Sequence, residues 1–139
     1  MKLTKNFELN EFIYSDFYNK ENQKKVLKSF DNDDEAFYNI QKLANNLQVL
    51  RDYIGKPIHI NISYRPLWWE LKQGRSGNSQ HTFGKAADIM VNGMTTKEVR
   101  NTIEMLIDRG DMLQEGLGLY NSFVHYDIRK KRARWDFSS

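Results

Sequence analysis

The run NSQHTFGKAADIMV, from Asn78 to Val91, begins as a polar loop, passes through Gly84 and two alanines, and ends in Ile89, Met90 and Val91. An apolar end bounded in this way predicts a short buried strand fed by a loop. His81 and Asp88 stand seven residues apart on either side of the small-residue segment. Imidazole and carboxylate together form a ligand pair suited to zinc.

Just upstream, IHINISY (58–64) alternates, with Ile58, Ile60 and Ile62 on one face and His59, Asn61 and Ser63 on the other, which predicts a half-buried strand. Pro66 cannot continue a strand ladder, so Arg65 is expected at the strand's end. The segment PLWWELKQGRSGNSQ that follows is predicted to be a long loop, and loops of that length in compact domains tend to be functional. Trp68 and Trp69 either wall a cleft or anchor this loop, and His59 is expected on the polar face of its strand.

Downstream, Thr95 and Glu98 form a capping-box pattern ahead of Val99, Ile103 and Leu106, predicting a helix that ends near Gly110. GLGLYNSFVHYDIR holds two apolar runs joined by Asn121 and Ser122, the pattern of a hairpin. Its second strand puts His125 and Asp127 on one face, because side chains alternate with a period of two. Nearer the start, Phe37, Ile40, Leu43, Leu47, Leu50 and Ile54 recur at steps of three and four, one stripe of a long helix stopped by Gly55 and Pro57. A shorter helix is expected from Asn19 to Phe30, and residues 1–18 carry too many large apolar groups for a free arm. The expected architecture is α+β, a small, mainly antiparallel sheet with two main helices packed on it.

The chain has 139 residues, enough for one domain with a real core, and its 40% apolar and 28% charged composition is that of an ordinary globular protein. It has no cysteine, so any metal must be held by His, Asp or Glu. The net charge is +3, with Arg129, Lys130, Lys131, Arg132 and Arg134 gathered in what is expected to be a solvated basic tail, 129–139. That tail alone would suggest nucleic-acid binding, but no aromatic or helical readout accompanies it, and no nucleic-acid partner is expected. No apolar run has the roughly 20 residues of a membrane span, and MKLTKNFELNEF lacks the apolar core of a signal peptide.

Ser79, His81, Gly84, Ala86 and Asp88 match Ser-x-His-x-x-Gly-x-Ala-x-Asp, which resembles the signature of the zinc D-Ala-D-Ala carboxypeptidases and their murein endopeptidase and Hedgehog-like relatives. The GLGLY hairpin followed by Phe-Val-His-Tyr-Asp-Ile-Arg and Arg-Ala-Arg-Trp is similar to the C-terminal part of a peptidoglycan-peptidase branch of that family. The resemblance is strong from Tyr64 to Trp135 and weak at the start. It implies a Hedgehog-type fold, a zinc ion held by His81, Asp88 and His125, and a peptidoglycan stem peptide as substrate. Arg65, sixteen residues before His81, corresponds to the active-site arginine of the family's Tyr-Arg-Ser segment.

Three protein ligands leave a fourth tetrahedral position for water, the mark of a catalytic zinc site. Arg65 suits an oxyanion or a substrate carboxylate, since a guanidinium is always charged and binds through two hydrogen bonds. The family places Glu or Asp three residues before the last zinc histidine, where this chain has Ser122. Asp127 is the substitute candidate for the general base, with the competing role of orienting a histidine, and Glu115 is a more distant candidate. The expected function is a zinc metallopeptidase cutting peptidoglycan, as carboxypeptidase or endopeptidase; the alternative is a non-catalytic zinc-binding domain that binds wall peptide or a protein. A wall substrate without a visible export segment suggests a bacteriophage lysis enzyme or virion component.

Overall fold

The computed structural model describes residues 1–139. Its elements are α1 (Asn10–Ile13), α2 (Lys20–Asp31), α3 (Asp34–Ile54), β1 (His59–Ile62), α4 (Leu67–Lys72), β2 (Ala86–Met90), α5 (Thr96–Asp108), β3 (Gly116–Leu119), β4 (Val124–Asp127) and β5 (Ala133–Asp136). The five strands form one sheet in the order β1-β2-β4-β3-β5.

The apolar stripe on α3 does what its spacing implies: Ile40, Leu43, Leu47 and Leu50 are fully buried. Truncating any one of them to Ala would cost about 2–5 kcal/mol. Asp33 opens α3 by accepting the Ala36 N–H. At α5 both bonds of the capping box form, Glu98 N–H to Thr95 Oγ1 at 3.1 Å and Thr95 N–H to Glu98 Oε1 at 2.8 Å. Ala87, Ile89, Leu117, Leu119, Val124 and Tyr126 join these helices in one core. The alternate residues of β2, β3 and β4 therefore face away from the helices, and the candidate site lies there. No helix is long and apolar enough to cross a membrane.

Several expectations are corrected. The sheet is mixed: β1–β2, β2–β4 and β3–β4 are antiparallel, but β5 runs parallel to β3. Residues 133–136, expected in a solvated tail, are that fifth strand, because the exposed edge of β3 offers backbone groups that need partners. Arg134 pairs with Glu104 of α5 at 3.0 Å rather than with solvent alone. The loop after Arg65 contains a helical turn, α4, started at Pro66, whose fixed φ suits a helix entrance. The alternation of β1 is broken: Ile60 pairs with Ile89, but Ile62 pairs with Asp88, with an irregularity at Asn61 between them. The slip moves Ile62 into the row of Asp88, where it lines a cleft while still touching the core. Bulges of this kind re-aim side chains beside functional sites.

Candidate metal centre

Two adjacent rows of the sheet build the site. Across β1, β2, β4, β3 and β5 runs the row Ile62, Asp88, His125, Gly118, Trp135. Beside it runs Ala86, Asp127, Gly116, Ala133. Asp88 and His125 thus face each other by register alone, two residues on neighbouring strands.

His81 arrives from outside the sheet on a 3₁₀ turn, Gln80–Phe83. Ser79 starts that turn by accepting the His81 N–H at 3.2 Å. Gly84 ends it with φ 72°, and a Cβ there would press on the Ala36 backbone of α3, so the glycine is required both for its dihedral and for the close approach. Asn39 of α3 ties down the turn through the Phe83 carbonyl at 2.9 Å. Every position of the motif is thereby accounted for, since Ser79 caps the turn, His81 and Asp88 converge, Gly84 reverses the chain, and Ala86 stays small beside Asp127.

The ligand atoms of His81, Asp88 and His125 lie within 4.8 Å of one another. His81 Nε2 is 3.3 Å and His125 Nδ1 3.1 Å from the same Asp88 oxygen, Oδ1. Tetrahedral zinc with bonds of about 2.0–2.2 Å places neighbouring ligand atoms about 3.3 Å apart. The far nitrogens are spoken for: His81 Nδ1–H donates to the Ser63 carbonyl at 2.8 Å, and His125 Nε2–H to Asp127 Oδ2 at 2.7 Å. With a proton on each far nitrogen, the neutral histidines turn Nε2 of His81 and Nδ1 of His125 toward Asp88 Oδ1, and two imidazole lone pairs and a carboxylate oxygen at one point form a set that a cation satisfies. The residues present fit zinc.

Asp127 is fully buried and its acceptor sites are filled. Besides His125, it takes the Arg129 backbone N–H at 3.0 Å on Oδ1, and Arg129 Nε and Nη2 at 2.9 and 2.7 Å on Oδ1 and Oδ2. Gly116, opposite Asp127 on β3, leaves the room: a Cβ there would overlap the carboxyl group. Gly118 does the same for the Trp135 indole. Burial works against the charge of Asp127, but His125 and Arg129 outweigh it and hold the carboxyl below the usual carboxylate range. Asp88 is likewise held low, its burial outweighed by the two histidines. Burial lowers the His81 imidazole, whereas at His125 burial is outweighed by Asp127 and Asp88, which raise it.

The cluster floors a cleft of about 330 Å³ whose walls include Arg65, Ser79, Tyr120, Phe123, Arg129 and Trp135. Arg65 donates from Nη2 to Ser79 at 3.2 Å and faces Glu70 at 3.3 Å. Burial pulls its guanidinium below the ordinary arginine value, opposed by Glu70 and Asp88. Tyr120 stacks on Phe123, ring centroids 4.3 Å apart, and its hydroxyl accepts the Trp135 indole N–H at 2.9 Å, leaving its own proton free. Asp88 is the only carboxylate among the lining residues. Glu115 lies outside the cleft, before β3, with its carbonyl accepting from Ala133 and Arg134. His59 is exposed on β1, and Ser122 is exposed in the hairpin turn. The two tryptophans divide the roles foreseen for them: Trp68 donates to Ser29 of α2 at 2.8 Å, while Trp69 packs edge-on against Tyr18 and lines a neighbouring cleft.

Sequence reasoning overlooked Tyr120, Phe123 and Arg129. Arg129 had a signal, since it shares the strand-face period of His125 and Asp127. Compared with curated proteins, the chain matches none. A family profile described as Peptidase M15 matches residues 6–127, which include Arg65 and the whole His81, Asp88, His125 cluster. The chain therefore belongs to the peptidase M15 family of zinc peptidases.

Proposed function

We propose that this protein is a zinc-dependent peptidase that hydrolyses a peptide bond of bacterial peptidoglycan, on a variant of the Hedgehog-type fold, and reaches the wall through bacteriophage lysis or as part of a virion. The observation that carries the reading is the convergence of the His81, Asp88 and His125 electron pairs on the floor of an open cleft walled by Arg65.

His81, Asp88 and His125 would hold the metal. Zinc, when bound, polarises a carbonyl and brings the pKa of a water to about 7. The Ser63 carbonyl and Asp127 keep the protons of the two imidazoles on their far nitrogens, so each ring presents a lone pair inward. Arg65 offers its fork to the developing oxyanion or to a substrate carboxylate. Tyr120 also lines the cleft, and its hydroxyl, which accepts from Trp135, retains a proton that can hydrogen-bond the reacting amide. In this reading Asp127 orients His125 and is not the base, because its oxygens are saturated and it has no solvent access.

The scarcity of carboxylates in the cleft favours one second reading, a zinc-binding domain that holds wall peptide without cutting it. Incubating the zinc-loaded protein with purified muropeptides and weighing the products separates the two. Hydrolysis adds one water across the cut bond, with OH on the carbonyl carbon and H on the amine. Such products, abolished by chelation and restored by zinc, support the peptidase. Retention of intact muropeptides on the protein supports the binding domain.

A further inference from the structure

The cleft does not end at the metal ligands. Along the row Ile62, Asp88, His125, Gly118, Trp135, the walls formed by Trp135 and Tyr120 lie toward β5. A second cavity, of about 420 Å³, lies toward β1 and is lined by Phe17, Ile62, Trp69, Gln73 and Arg75. Arg65, Asp88 and Phe123 wall both cavities, so they form one groove that crosses the candidate metal centre.

The β1 arm has an unusual charge arrangement. Arg65 and Arg75 share a single carboxylate, Glu70, at 3.3 and 2.6 Å. Glu70 is fully buried, so it cancels one of the two positive charges without itself facing the groove. Arg75 keeps 46% of its side chain exposed and uses Nε for Glu70, which leaves its two terminal nitrogens free. Arg65 donates only to Ser79 from its terminal nitrogens. With Asp88 counted as part of the metal cluster, Arg65, Arg75 and Glu70 leave the arm about one positive charge, presented by planar groups suited to a carboxylate, between the apolar surfaces of Phe17 and Trp69.

We infer that the β1 arm is a substrate subsite for a peptide residue bearing a carboxylate, with Arg75 as its specificity-determining residue and Glu70 as the group that positions both arginines. This rests on the peptidase reading, and it adds that substrate extends past the metal centre toward β1.

The test uses two labelled stem-type peptides that differ only in having glutamate or glutamine, titrated onto the zinc-loaded protein by fluorescence anisotropy. Product analysis follows each titration; where a peptide is cut, the ratio of kcat/KM values replaces the ratio of Kd values. The glutamate peptide should be preferred by about tenfold or more. Arg75→Gln should reduce that preference to less than about threefold by weakening the glutamate peptide more than the glutamine peptide. Gln73→Glu, which places an anion in the arm without touching the Glu70 pairing, should also suppress the preference, and it carries the test if Arg75→Gln does not fold. No preference in the unaltered protein, or a preference that survives both variants, would overturn the subsite. So would equal weakening of both peptides by Arg75→Gln, the mark of a mere clip between Arg75 and Glu70. Preference without cutting upholds the subsite and defeats the hydrolytic reading, whereas cutting without preference does the reverse.

Discussion

Replacing Asp127 by Asn separates the two roles this residue could have. The carboxylate accepts from His125 Nε2 and, several times, from Arg129. Asn keeps one acceptor oxygen and substitutes an NH2 for the other. With the oxygen toward His125, the NH2 meets the Arg129 donors. Flipped, it meets His125 Nε2–H and favours the tautomer with the proton on Nδ1, which blocks the electron pair needed for metal. A buried donor left without a partner costs about 1–3 kcal/mol. For a domain of this size about 2 kcal/mol lowers Tm by roughly 6–10 °C. Loss of a group that orients a metal-bound histidine weakens metal binding by roughly ten- to a hundredfold, or about 1.4–2.7 kcal/mol. Zinc affinity, read by competition with a chelating dye, should fall by that amount, and kcat on muropeptides at saturating zinc should stay within about threefold, far from the hundredfold or greater loss of a general base. Unchanged zinc affinity with kcat reduced a hundredfold or more would refute the orienting role and restore Asp127 as base.

Gly116→Ala should act in the same direction with no charge removed, because its Cβ would displace the Asp127 carboxyl: zinc affinity should drop by about tenfold. Affinity equal to that of the unaltered protein would show that Asp127 tolerates the displacement. Arg65→Lys and Arg65→Ala should retain full zinc, measured by metal analysis, yet lose about tenfold or more in kcat/KM, since Lys keeps the charge without the planar fork. Near-normal turnover in the Lys variant would reduce Arg65 to a point charge or a partner of Glu70.

The parts of this fold that follow from local periodicity were legible in the sequence. The α3 stripe, the capping box of α5 and the hairpin around Asn121 and Ser122 all depend on residues a few positions apart. The gathering of His81, Asp88 and His125 was implied by the family resemblance; the sheet register supplies the physical basis for Asp88 and His125, and the 3₁₀ turn brings His81 to them. What escaped depends on pairing between distant segments. Strand β5 exists because β3 has an edge to fill, and the irregularity at Asn61 is set by the pairing of β1 with β2, so alternation alone, though it put Ile62 in the core, did not show that Ile62 pairs with Asp88 and lines a cleft. The helical turn at Leu67–Lys72 was hidden by two tryptophans whose stability comes from Tyr18 and Ser29, far away in sequence. Asp127 was correctly placed on the face of His125, but its saturation by Arg129 required knowing that both side chains bend to the same carboxylate.

Everything proposed for the cleft depends on zinc held by His81, Asp88 and His125. Protein stripped of metal, dialysed against buffered zinc and assayed by plasma mass spectrometry should carry one zinc per chain, with His81→Ala, Asp88→Ala and His125→Ala each retaining about a tenth of that or less. Because the metal binds the folded state, loading should also raise the Tm of the unaltered protein and not that of the three variants. Equimolar zinc in all three variants, or none in the unaltered protein at saturating free metal, would contradict the assignment of these three residues as the metal site.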